Sequence, residues 1–248
     1  FADYLFSYDA PAVPTWTASG EHLTSGVTLT LSGTNLHPLE TNITIGGEMC
    51  TNVAGSYTTL TCLTPAGTGT GKAISVSVGP DTERARVVAP VATFDYAAPR
   101  IVSIVPPPAV GGTLQILGHN FGASAATLNS LTVRGAPCTS VTVVSHQRID
   151  CVMPAGTGGN GTIAMTVGGQ ALSPAAPTAF SYAAPVVSSG SRISHNGGPV
   201  TLTGVNFGNT QPPSLEIIFD GQTCASPIWA SDASVRCTAP EADDRSSP

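Results

Sequence analysis

A block of residues recurs along this chain at a nearly fixed interval, and that period limits what the chain can fold into. Phe180 and Tyr182 match Phe94 and Tyr96 at an offset of 86, and Phe6 and Tyr8 lie a further 88 back. Gly118 matches Gly33 and Gly204 at offsets of 85 and 86, and Cys138 matches Cys50 and Cys224 at 88 and 86. A fixed period with shared punctuation residues marks a tandem array. Units of this size can each bury a core, unlike the short repeats of a solenoid. The period divides the chain into residues 1–9, the closing strand of an earlier repeat, then repeats at 10–96, 97–182 and 183–248. The last is expected to be incomplete at its C-terminal end. The chain therefore reads as a segment of a longer protein, and the missing signal peptide carries no information on targeting.

Within a repeat the pattern is that of strands. Leu29 and Leu31, Leu114 and Ile116, and Val200 and Leu202 alternate with Thr28 and Thr30, Thr113 and Gln115, and Thr201 and Thr203. A period of two places one set on a core and the other toward solvent. The strand closes on Gly33, Gly118 or Gly204, followed by Asn35-Leu36, Asn120-Phe121-Gly122 or Asn206-Phe207-Gly208. Glycine and asparagine suit left-handed turn positions, and the Leu or Phe is expected to fold back as a plug on the core. Next come Ile43/Ile45, Leu131/Val133 and Ile217/Phe219, then a turn into the first cysteine of each repeat. Behind the second cysteine the first two repeats share Ala-Gly-Thr-Gly, at 66–69 and 155–158, where the third reads Glu241-Ala242-Asp243-Asp244. The 27 glycines and 21 prolines punctuate short Val/Ile/Leu/Thr runs with no sustained helical period, so the fold class is all-β.

The six cysteines fall two per repeat, at Cys50/Cys62, Cys138/Cys151 and Cys224/Cys237, with spacings of 12, 13 and 13. No Cys-x-x-Cys knuckle is present, which argues against a zinc ribbon. Three equivalent pairs read as one disulfide per repeat and an oxidising, extracellular-type compartment. Charged residues make up 10% against a usual quarter, and the net charge of −6 comes with no Lys/Arg cluster. Nucleic-acid binding needs a basic face, so this composition excludes it, and an electrostatic membrane contact is equally unsupported. No apolar run approaches the roughly 20 residues that span a bilayer.

Each repeat begins at a junction of one length ending in proline: Tyr8-Asp9-Ala10-Pro11, Tyr96-Ala97-Ala98-Pro99 and Tyr182-Ala183-Ala184-Pro185. Proline fixes φ and biases its predecessor to extended geometry, so the domains are expected to stack end to end as a stiff rod.

Catalytic chemistry finds no footing. There is no Gly-x-Ser-x-Gly elbow and no carboxylate pair outside the polar tail at Asp243-Asp244, and His22, His37, His119, His146 and His195 occupy unmatched places, as solvated loop side chains would. The junctions offer Asp9 and otherwise alanine, too few oxygen ligands for calcium. No catalytic, cofactor or metal residue is assigned. Asn42-Ile43-Thr44 and Asn160-Gly161-Thr162 are N-glycosylation sequons, which fit a secretory route. Pro106-Pro107-Pro108 and Pro212-Pro213 read as stiff loops or as hydroxyproline glycosylation sites. The outward threonine rows suggest an ordered-water surface, but plain β-propensity explains them better. Trp16 and Trp229 have no counterparts in other repeats and are assigned to core or junction rather than to an interface.

The motif set resembles the IPT/TIG domain, the immunoglobulin-like fold shared by plexins and certain transcription factors. The matching residues are Pro99, Ile101, Ile104 and Pro106 of the opening, Gly111-Gly112-Thr113, Gly118-x-Asn120-Phe121-Gly122, Ile149-x-Cys151-x-x-Pro154 and Phe180-Ser181-Tyr182. The first repeat lacks the Pro-Ile opening. The resemblance implies a seven-stranded sandwich in each unit. Tandem sandwiches, disulfides and stiff junctions together predict a non-enzymatic extracellular rod. One reading is a cell-surface or flagellar filament or coat built by self-packing or by packing on a fibrous partner, with algal mastigonemes as the analogy for the Ala/Pro/Gly-rich composition. The alternative is the stalk of an adhesion or receptor ectodomain, as plexin-like and fibrocystin-like proteins use similar repeats. The DNA-binding use of this fold fails on charge and on the paired cysteines. An accessory domain of a polysaccharide-active enzyme would require a catalytic domain elsewhere.

Overall fold

The computed structural model describes residues 9–79, 86–159, 161–173, 178–212 and 214–241. Phe6, Tyr8, Asn160 and the Asp243-Asp244 pair lie outside the described residues. The first repeat carries β1 (Ala12–Ala18), β2 (Thr28–Thr34), β3 (Thr41–Ile45), β4 (Glu48–Met49), β5 (Thr51–Gly55), β6 (Thr59–Leu63), β7 (Lys72–Val78) and β8 (Arg86–Phe94). The second carries β9 (Arg100–Val105), β10 (Gly112–His119), a 3-10 turn at Ala125–Thr127, β11 (Leu128–Val133), β12 (Ala136–Pro137), β13 (Thr139–Ser145), β14 (Arg148–Met153), β15 (Gly161–Val167), β16 (Gln170–Ala171) and β17 (Ala179–Phe180). The third carries β18 (Val186–Gly190), β19 (Gly198–Val205), β20 (Ile218–Phe219), β21 (Gln222–Thr223), β22 (Ala225–Ser231) and β23 (Ser234–Ala239).

The same two sheets recur. One runs β1-β2-β6-β5, β9-β10-β14-β13 and β18-β19-β23-β22; the other runs β4-β3-β7-β8, β12-β11-β15-β16 with β17 also on β15, and β20-β21. The all-β class and the immunoglobulin-like sandwich follow from this order. The first repeat has eight strands and the second nine, against the expected seven, because two-residue pieces such as β4, β12 and β16 pair briefly at sheet edges; the described residues of the third carry six.

Each repeat has its own core. The alternating residues meet between the sheets: Leu29, Leu31, Ile43, Leu60 and Ile74 in the first, and Leu114, Ile116, Leu131, Ile149 and Ile163 in the second. In the third, Val200, Leu202, Ile217 and Val235 do the same. Leu36, Phe121 and Phe207 fold back into these cores as buried plugs, and Phe94 and Phe180 close them from the last strand. Fully burying a side chain of this size contributes about 1.5–3 kcal/mol. Trp16 packs on the first core and Trp229 on the third, where its Nε1 donates to the Gly208 carbonyl at 3.2 Å.

The glycine that closes the strand has another role than the left-handed turn expected of it. Gly33, Gly118 and Gly204 are absent from the positive-φ positions, which are taken by Asn35, Asn120 and Asn206 at φ 58°, 64° and 64°. At Gly118 a Cβ would fall on the Arg100 carbonyl and 2.7 Å from the Phe121 ring; at Gly204 it would meet the Val186 carbonyl and Phe207 in the same way. The opening strand and the plug leave no room there, so the glycine is required for close approach and the asparagine supplies the turn.

The cysteines divide. Cys138 bonds Cys151 and Cys224 bonds Cys237, with Cα separations of 6.0 and 5.8 Å. The expected third disulfide is not formed: Cys50 and Cys62 are buried free thiols. Their backbone frame is that of the other pairs, since the Cys50, Cys138 and Cys224 amides donate to Ile43, Leu131 and Ile217. The residues following the two cysteines also pair alike, Thr51 with Leu63, Thr139 with Val152 and Ala225 with Thr238. What differs is the hairpin between them, one residue shorter and closed at Ser56–Thr59. The Cys50 sulfur in hydrogen-bond contact, reinforced by burial, pushes the Cys62 thiol up, so it stays protonated at neutral pH.

Candidate functional site

Among the described residues, no group of three or more His, Cys, Asp or Glu side chains is placed to hold a metal ion. Among the described residues, no helix is long and apolar enough to cross a membrane. What the repeat motifs do build is the pair of junctions between domains.

Each junction begins with the closing Phe-x-Tyr. Phe94 and Tyr96 meet edge to face at 5.0 Å, and Phe180 and Tyr182 at 5.2 Å. The Tyr96 hydroxyl donates to the Pro65 carbonyl at 2.7 Å, and Tyr182 to Pro154 at 2.9 Å. Burial, with the Cys50 sulfur adding, pushes Tyr96 up to about 12. The tyrosine ring packs closely on the Ala-Gly-Thr-Gly loop. A Cβ at Gly67 would sit 2.5 Å from the Tyr96 ring, and one at Gly156 would sit 2.7 Å from Tyr182. The amides of Tyr96 and Tyr182 return to the loop at Gly69 and Gly158, each at 3.0 Å. The two motifs, about 30 residues apart in sequence, thus specify one corner.

That corner meets the next domain. Asn120, in the left-handed turn of the second domain, accepts from the Thr24 amide of the first at 3.2 Å through Oδ1. Its Nδ2 donates to the Ala98 carbonyl in the linker at 3.3 Å and to Glu21 Oε1 at 3.0 Å. Asn206 repeats the arrangement: the Ala109 amide donates to its Oδ1 at 3.2 Å, and its Nδ2 donates to Ala184 at 3.2 Å. Asn120 is 2% exposed although polar, which is tolerable because its amide is satisfied on both sides.

The loop threonine seats on the glycine after the plug. A Cβ on Gly122 would lie 3.0 Å from Thr68 Cγ2, and one on Gly208 would lie 2.9 Å from Thr157 Cγ2. The first junction also packs glycine on glycine, because a Cβ at Gly69 would meet the Gly168 carbonyl at 2.6 Å. Gln170 Nε2 donates to the Tyr96 carbonyl at 2.9 Å. The linker itself is bonded, with Ala97 donating to His22 at 2.8 Å and Ala183 to Pro107 at 3.0 Å.

Two histidines read as solvated belong to this site. His22 stacks on Phe94 at 4.6 Å, and its Nδ1 donates to the Asp95 carbonyl at 2.8 Å. His146 Nδ1 lies 2.8 Å from Thr24 Oγ1 across the first junction, and burial lowers its pKa. Neither role had a signal in the sequence, since their partners are 73 and 122 residues away. Of the sequon asparagines, Asn42 stands exposed on β3, between the buried residues Thr41 and Ile43.

Comparison with known proteins adds relatives. The chain is 28% identical over 231 residues to human Fibrocystin-L, covering 90% of this chain and 5% of that protein. It is 39% identical over 87 residues to Plexin-2 of Caenorhabditis elegans, covering 34% of this chain and again 5% of the relative. The chain therefore spans about one twentieth of the length of these relatives. Among solved structures, a crystal structure with a xylogluco-oligosaccharide covers 96% of this chain and 56% of its own, at 16% identity and a TM-score of 0.43. The profile of the IPT/TIG domain matches residues 16–92, 99–182 and 185–248, nearly the whole chain, and the chain belongs to that family.

Proposed function

We propose that this chain is a stiff spacer within an extracellular ectodomain, a non-enzymatic stalk that holds other parts of a longer protein away from a surface. The observation that carries the reading is the repeated junction. Two successive linkers are closed by the same asparagine bridge and the same threonine-on-glycine contact, so each domain is fastened to the next at a set orientation. Interdomain motion is the ordinary expectation for short linkers unless such contacts oppose it. Likeness to fibrocystin-type and plexin-type chains supports the stalk, and the disulfides Cys138–Cys151 and Cys224–Cys237 support an oxidising, cell-surface location. Asn42 and Asn160 are its N-glycosylation sites; exposure of Asn42 on a strand face supports the first.

A second reading is a filament or coat, in which the rods pack laterally on copies of themselves or on a fibrous partner. The charge-poor composition favours it, because a chain with only 10% charged residues has little like-charge repulsion to resist association. A flagellar surface filament is one form of this reading. Electron microscopy of the full natural protein, gently extracted, separates the two. Isolated rods with a membrane anchor or a distinct head support the stalk, and ordered filaments with these domains at a regular repeat overturn it in favour of the coat.

A further inference from the structure

The first domain carries the clamp of the other two, without a partner among the described residues. Asn35 holds the left-handed turn at φ 58°, and its Nδ2 donates to the Ala10 carbonyl at 3.2 Å, as Asn120 does to Ala98 and Asn206 to Ala184. In the second and third domains Oδ1 of this residue takes a backbone amide of the preceding domain. In the first domain no described amide reaches it, and Asn35 is exposed where Asn120 is buried.

Tyr57 is an independent observation at the same place. The plug amides of Leu36, Phe121 and Phe207 donate to the carbonyls of Tyr57, His146 and Asp232, so these three positions are equivalent. His146 touches Thr24 of the preceding domain. Tyr57 stands 62% exposed, the sort of aromatic surface that interfaces cover. His37 replaces Gly122 and Gly208, and its ring meets Tyr57 edge on at 5.4 Å while Nδ1 accepts the Glu40 amide at 3.2 Å. The first domain thus offers a ring pair where its neighbours offer a bare glycine.

We infer that Asn35, His37 and Tyr57 form the docking face for a domain of this same kind, lying N-terminal to it in the natural chain. The inferred contact is continuous with the two junctions already described. Phe6 and Tyr8 stand one period before Phe94 and Tyr96, where the closing Phe-x-Tyr of such a domain belongs. The Oδ1 of Asn35 accepts an amide from its loop, and the His37–Tyr57 pair takes the apolar contact that Thr68 and Thr157 make with glycine elsewhere. The inference rests on the stiff-spacer reading, and its test keeps the two apart.

The test uses the full natural chain, with spin labels on unnatural amino acids in adjacent domains and pulsed-EPR distances as the readout. Asn35→Gly and Asn120→Gly each keep the left-handed turn while deleting the bridge. Asn120→Gly should broaden the distance distribution between the first two domains about twofold, toward unrestrained domain motion. Asn35→Gly should do the same between the first domain and the one before it, and leave the later junction unchanged. If Asn120→Gly broadens its junction and Asn35→Gly broadens nothing, the docking face is wrong and the spacer stands. If neither broadens a narrow distribution, the asparagine bridge is not what docks the domains and the docking face falls; if the distributions are already broad in the unmodified chain, the spacer reading falls.

Discussion

Glycine and asparagine stand two residues apart in each closing turn, and the sequence offers no way to tell which of them needs the left-handed conformation. Either residue type adopts it, so the division of labour became visible only through the Arg100 and Val186 carbonyls that approach Gly118 and Gly204. The asparagine side chains were likewise illegible as clamps, because Asn120 reaches Thr24 across 96 residues. His146 was hidden for the same reason, and it gives the first junction a pH dependence. Burial lowers its pKa, so below the ordinary value the unfolded chain binds more protons than the folded one. Stability is therefore complete above that value and lost as the pH falls through it. Melting of the chain at about pH 7.5 and about pH 5 should show a drop that His146→Gln reduces; an equal drop in both proteins would assign the acid sensitivity elsewhere. The thiols give a second residue-level prediction. Cys50 and Cys62 are buried with Cys62 held protonated, so a thiol reagent should find none in the native chain and two after denaturation. Finding none after denaturation would mean that this pair is oxidised like the other two.

The strands were the most legible elements, since apolar alternation at Leu29/Leu31 and Leu114/Ile116 needs only a period of two and lands on the core as it should. Elements that depend on pairing partners were harder to see. β4, β12 and β21 are two-residue pieces whose sequences, Glu-Met, Ala-Pro and Gln-Thr, carry no strand signal of their own. The plug was legible in its position after the turn, and its burial gives it a magnitude. Phe121 is wholly buried beside Gly118, and Phe121→Ala should cost about 3–5 kcal/mol in denaturant unfolding of the second domain. A cost below about 1 kcal/mol would put the ring outside the core.

At the scale of the whole molecule, the period, the proline-ended junctions and the all-β composition were enough to anticipate a tandem array, whereas the contacts between its domains were not. Proline restricts the linker, but the contacts that fix one domain on the next are glycines, a loop threonine and an amide bridge drawn from both sides of the junction. Each of those residues also has a local reason to be where it is, so the sequence shows the local reason and conceals the shared one. Domains bonded in this way should move as one body. Small-angle X-ray scattering from the chain in dilute solution tests this most directly. Domains fastened at both junctions should give the profile of one extended rod, with a linear cross-sectional region and dimensions that match the three domains in their bonded arrangement. A profile that requires an ensemble of bent and extended chains would contradict it.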